Sequence, residues 1–181
     1  MPDIPAENFS QPWPDASRVE PSRVADERET LTAFLDWHRA TFALKCEGVA
    51  QRQMSERVIP PSGLSLHGLL RHLAAVERWW FRQQFAGEDV ANLYYSDDDP
   101  DQDFDSLDGD IEQAFGVWRD ECDESRRIVA AADWLDQRGA VPSRNGPFTL
   151  RWVLVQMIAE YARHNGHADL LRERIDGASG Y

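Results

Sequence analysis

Three titratable residues fall where helical periodicity would otherwise place apolar ones. Residues 147–176 read as a helix with an inward stripe of Val153, Met157, Glu160, His164 and Leu171. Residues 65–86 read as a second helix with an inward stripe of Leu69, His72, Leu73, Val76 and Trp80. A titratable side chain on a buried stripe is costly unless something answers it. Glu160 and His164 rise one turn apart from the same helix face, so both can grip one ion. His72, brought from another helix, would complete a set of two imidazoles and a carboxylate on a divalent cation. Such a set leaves coordination positions open, which suits catalysis more than a closed structural site. His167 lies within about 60° of the same face; it is expected as a ligand, a proton carrier or a partner of a ligand. A second reading stands beside the first: a hydrogen-bonded Glu–His pair in a core with no metal. His38 falls on an apolar stripe and reads as a core histidine, whereas His67 points away from His72 and reads as solvated.

Other chemistries are poorly supported. Asp101, Asp103, Asp105 and Glu112 occupy positions 1, 3, 5 and 12 of a calcium loop, but Ser106 replaces the glycine of position 6 and Asp108 stands at position 8. A solvated acidic loop is the better account of these residues. A di-iron carboxylate bundle requires paired Glu-x-x-His motifs on separate helices, and this chain has a Glu–His spacing of four with no second copy. Neither a glycine-rich phosphate loop nor a nucleophile elbow is present.

Four helices would have to position the candidate ligands. Residues 1–25 are rich in proline (Pro2, Pro5, Pro12, Pro14, Pro21) and read as an extended arm, with the bundle domain over 26–181. Asp26 and Glu29 resemble a capping box, after which Leu31, Phe34, Leu35, His38 and Phe42 recur at helical spacing to about Glu47. Ser65 caps the second helix and Gly87 ends it. A long acidic connection, 88–105, follows. Ile111, Phe115, Trp118, Cys122, Ser125, Val129 and Ala132 then alternate steps of four and three, a helix-bundle seam. Thr149 caps the last helix and Gly177 closes it. No strand pattern appears, so the fold class is all-α, a four-helix bundle.

Composition narrows the function. Of 181 residues, 42% are hydrophobic, enough for one domain with a real core. The formal net charge of −13 argues against binding nucleic acid or an anionic membrane, since both demand a basic surface. No apolar run is long enough to span a bilayer, and the first residues lack a signal-peptide pattern; a cytoplasmic location is expected. Cys46 and Cys122 form no metal-type spacing and are too few for a disulfide scaffold.

Three stretches, LTAFLDWHRATFALKCEG, PSGLSLHGLLRHLAAVERWWF and LRWVLVQMIAEYARHNGHADLLRERIDG, together resemble the DinB-like superfamily, in its actinobacterial branch related to mycothiol-dependent enzymes. They span residues 31 to 177. The resemblance implies an up-down-down-up bundle, often a homodimer, with one divalent metal (zinc or nickel) in a mouth between helices. Carried over, His72, Glu160 and His164 would be its ligands. His167 falls where many members have glutamine, and Gln156 stands where the nearest branch would have histidine. The implied activity is metal-dependent transfer or isomerisation using a low-molecular-weight thiol such as mycothiol on a small electrophile. A divalent metal would stabilise the thiolate at neutral pH. His167 is then expected to relay protons, and Arg39 or Lys45 to bind an anionic substrate group. Metal-assisted hydrolysis at the same site, and a non-catalytic bundle that binds metal or dimerises, remain alternatives. Cys122 sits on the core seam and reads as packing.

Overall fold

The computed structural model describes residues 18–96, 98, 99, 101–105, 107, 109–142 and 145–179. Most of the expected arm, and Ser106 and Asp108 of the calcium-loop comparison, lie outside them. Helix α1 spans Glu27–Cys46, α2 Gln51–Met54, α3 Leu66–Glu77, α4 Gln102–Asp105, α5 Ile111–Ala131 and α6 Leu150–Asp176. Among the described residues there is no strand; an isolated bridge joins Arg138 and Thr149. No helix of the described residues is long and apolar enough to cross a membrane.

Local chemistry sets the helix ends. Asp26 Oδ1 accepts from the Glu29 amide at 2.8 Å, and Ser65 Oγ accepts from the Gly68 amide at 3.1 Å. Thr149 Oγ1 accepts from the Trp152 amide, and Gly177 closes α6 in the left-handed conformation at φ 81°, its amide returning to Glu173 O. Along α5, all seven seam residues from Ile111 to Ala132 are buried. Helix α1 packs chiefly on α6 and α3 on α5, so the core is an all-helical bundle.

The second helix departs from the continuous α-helix that periodicity predicts. α-Helical bonding stops at Glu77, and Arg78–Phe85 form a π-helical segment, with the Ala86 amide reaching Phe81 O at 2.9 Å. The wider turn carries two arginines, Arg78 and Arg82, onto the single buried carboxylate Glu121 of α5 while Phe81 and Phe85 stay in the core. Phe34 of the expected inward stripe is instead exposed. His67 also corrects its expectation: it is buried, with Nδ1 3.0 Å from Ser55 Oγ.

The bundle centre is polar. Arg39 donates from Nε and Nη2 to Glu77 at 2.8 and 2.7 Å, and Tyr161 Oη donates to the same carboxylate at 2.8 Å. Trp118 Nε1 donates to Tyr161 Oη at 2.8 Å, so one network joins α1, α3, α5 and α6. Glu77 is fully buried and Arg39 nearly so. Removing one partner of such a pair leaves the other charge buried and unanswered. Glu77→Ala should therefore lower the unfolding free energy by about 3–5 kcal/mol in urea titrations. Replacing Arg39 and Glu77 together by methionine should recover much of that loss, and equal losses in the two variants would show that the ion pair does not set the effect.

Candidate metal centre

His72 stands in the middle of α3, on the side turned toward α6, and Glu160 and His164 rise one turn apart from α6. The structure brings the three together: one ligand atom from each lies within 4.8 Å of the others. His72 Nε2 is 3.2 Å from Glu160 Oε1, and His164 Nε2 is 3.0 Å from the same oxygen. Two Nε2 atoms and a carboxylate oxygen thus converge from two helices. All three side chains are largely shielded from solvent, His72 the least at 22% exposed.

The outer nitrogens of both imidazoles are also engaged. His72 Nδ1 donates to Asp103 Oδ2 at 2.7 Å, which fixes the ring and leaves Nε2 turned toward Glu160. His164 Nδ1 faces His167 Nδ1 at 3.3 Å. A carboxylate on the far nitrogen, as at His72, is a usual support of a metal-binding histidine, because it holds the tautomer and raises ligand basicity. Asp103 was hidden in the sequence within an acidic segment that reads as solvated. In the structure it is buried, because α4 folds back over α3. Gly68 makes that seat available: a Cβ there would lie 2.9 Å from Phe104 Cδ1. The signal that could have found Asp103 was Phe104 beside it, an apolar residue inside an acidic run.

Electrostatics reflect the crowding. Burial acts to lower the His72 pKa, but hydrogen bonds to Asp103 and Glu160 outweigh it and push the imidazole up to about 9. Glu160 is held well below the usual carboxylate range by its bond to His164, then by that to His72, against burial. Burial lowers the His167 pKa, with His164 and Arg163 acting in the same direction, so its ring is neutral near pH 7. Arg163 Nη1 reaches Glu160 Oε2 at 3.3 Å from an exposed position.

The residue set fits a divalent cation. Its donors are two nitrogens and one oxygen, a mixture that suits borderline ions such as zinc or nickel. Asp103 Oδ1 is buried without a hydrogen-bond partner, so one oxygen of the carboxylate behind His72 is left unanswered by its protein neighbours. A cleft of about 400 Å³ opens onto His72 and Glu160 and is walled by Val76, Trp79, Trp80 and Tyr95.

Other expected site residues lie elsewhere. Arg39 is committed to Glu77 and Asp36, and Lys45 to Asp169 at 2.6 Å. Neither lines the cleft beside His72. His38 is taken up by Asn165, whose Nδ2 lies 3.3 Å from its ring and 3.0 Å from its carbonyl oxygen.

A protein-family model described as Mycothiol-S-transferase matches residues 30–177, well over half of the chain. No curated protein matches it.

Two outcomes follow from the geometry. Asp103→Asn should weaken divalent-ion binding by roughly 10- to 100-fold in a competition titration, since the amide cannot replace the charge behind His72; unchanged affinity would remove Asp103 from the site. Below about pH 9 the His72 ring carries a proton that a cation must displace. Ion uptake near neutral pH should therefore release a proton, and affinity should climb by up to about tenfold per pH unit before flattening above pH 9. Calorimetry in buffers of different ionisation enthalpy measures that release, and an affinity constant across this range would contradict the assignment.

Proposed function

Because the chain belongs to the mycothiol S-transferase family, we propose that it joins a low-molecular-weight thiol to a small electrophile at the His72–Glu160–His164 cluster, with a divalent metal as cofactor. The observation that supports this reading most directly is the convergence of His72 Nε2, His164 Nε2 and Glu160 Oε1 beside an open, aromatic-walled cleft. A divalent cation held by these three residues would lower the pKa of a thiol that reaches it and so favour the nucleophilic thiolate at neutral pH.

The chain's own residues supply the remaining parts. Asp103 keeps the His72 ring in one tautomer and one orientation. Glu160 holds its charge across the ordinary pH range, so it binds a cation without first losing a proton. His167, whose ring stands beside that of His164, would take up the thiol proton and pass it to solvent. In the balanced step the new sulfur–carbon bond forms as that proton leaves the thiol, and the electrophile accepts the electron pair. The protein's own thiols are unsuited to the attack. Cys46 and Cys122 are buried, and burial pushes both thiols far above their ordinary range.

Mass-spectrometric detection of the thiol adduct tests the reading. With mycothiol, an electrophile and added divalent ion, the wild type should form adduct faster than the uncatalysed background. His72→Ala and Glu160→Gln should each slow this by about a hundredfold or more, as should a chelator. Adduct formation at the wild-type rate in both variants would reject the site. Consumption of electrophile to a hydrolysed product without thiol would replace transfer by hydrolysis.

A further inference from the structure

The cleft beside His72 has an unusual balance of surface for a site that handles a thiol and an electrophile. Its walls include Trp79, Trp80, Tyr95 and Phe104, whereas its charged lining consists of Asp101, Asp103 and Glu160 beside His72. Among the described residues, no lysine or arginine belongs to that lining. Arg163 meets Glu160 from outside it, on the exposed side of α6. The cations that the sequence offered for an anionic substrate, Arg39 and Lys45, are tied to carboxylates elsewhere. A divalent ion at the cluster would face all three carboxylates, and the Arg163 guanidinium answers Glu160 from outside the cleft. An anionic group held between the indoles would thus face carboxylates and find no lysine or arginine in the described lining, in a region of lowered dielectric.

The indoles are held in place. Trp80 lies 5.0 Å from Trp152 and 5.6 Å from Phe148, ring centre to ring centre, and Trp79 stands against Trp80 at 4.3 Å. The π-helical turn delivers both tryptophans as neighbours to the wall of one cleft. Fixed aromatic rings offer a flat ligand contact area at low cost in side-chain entropy, with stacking added to burial.

Resting on the thiol-transfer reading above, we infer that this cleft selects a planar, uncharged, apolar electrophile packed against Trp79 and rejects the same scaffold bearing a carboxylate. For an aryl halide, the sulfur–carbon bond forms as the carbon–halogen bond breaks. Halide leaves with the bonding pair through the open mouth, and the thiol proton goes to His167 and solvent.

The test uses two unreactive probes, 1,3-dinitrobenzene and 3,5-dinitrobenzoate, titrated calorimetrically into the full chain loaded with divalent ion. The neutral probe should bind at least about tenfold more tightly than the carboxylate. Trp79→Ala should weaken the neutral probe by about tenfold, and Trp79→Phe should retain most of the affinity. Asp101→Asn, an exposed change that leaves the core untouched, should raise affinity for the carboxylate by about threefold. Equal binding of the two probes by the wild type, or wild-type binding of the neutral probe by a folded Trp79→Ala protein, would overturn the inference. Binding requires no turnover, so the two readings fail separately. Selective, Trp79-dependent binding in a protein that forms no thiol adduct would discard thiol transfer and keep the cleft's selectivity. Equal adduct rates from 1-chloro-2,4-dinitrobenzene and 4-chloro-3,5-dinitrobenzoate would discard the selectivity and keep the transfer.

Discussion

The ion pair between Arg39 and Glu77 lies at the centre of the bundle, with Glu77 wholly shut off from water. Burying two charges is costly, and attraction offsets the cost only where geometry is good and the remaining lone pairs are satisfied. Here the guanidinium forks onto both carboxylate oxygens and the Tyr161 hydroxyl adds a third donor. Apolar packing between helices tolerates small axial slides, but directional bonds do not. Glu77 lies five residues beyond His72, and Tyr161 directly follows Glu160. The same bond that joins Glu77 to Tyr161 therefore sets the offset between the two helices that carry the metal-ligand candidates.

From that register the cluster follows at short range. Glu160 and His164 are aligned by helical pitch alone, and α3 brings His72 Nε2 to the same oxygen. The second layer is assembled by a different device. Phe104 seats over Gly68, and the short helix α4 then presses Asp103 onto the far nitrogen of His72. A carboxylate buried there with one oxygen unpartnered is a local liability in a metal-free protein. It becomes an asset if the far side of the ring meets a cation, because charge behind the imidazole strengthens its lone pair.

The rest of the molecule separates chemistry from structure. Its cysteines are buried and their thiols disfavour ionisation, so the sulfur nucleophile of the proposed reaction belongs to the cosubstrate. Of its interior arginines, Arg39 is committed to Glu77 and the pair Arg78 and Arg82 to Glu121, while Arg71 reaches the Gln102 carbonyl oxygen and lies over the Tyr94 ring. What remains at the cleft is an acidic floor and aromatic walls. The π-helical segment connects these roles, since one face of it locks onto Glu121 while the other supplies Trp79 and Trp80.

Much of this was legible in the residues alone. Capping at Asp26, Ser65 and Thr149 and closure at Gly177 depend on neighbouring backbone, so local sequence determined the ends of these helices. The α5 seam and the α6 stripe were legible because periodic burial leaves a periodic pattern. Glu160 and His164 were visible as a pair for the same reason. The tertiary structure decided what depends on residues distant in the chain. It turned His67 and Asp103 inward, turned Phe34 outward and drew Arg39 into the core; for His67, Asp103 and Arg39 a partner from another element outweighed the local pattern. Periodicity states which side of a helix is inward, but only packing states what waits there, and a carboxylate on the far nitrogen of His72 is a fact of the second kind.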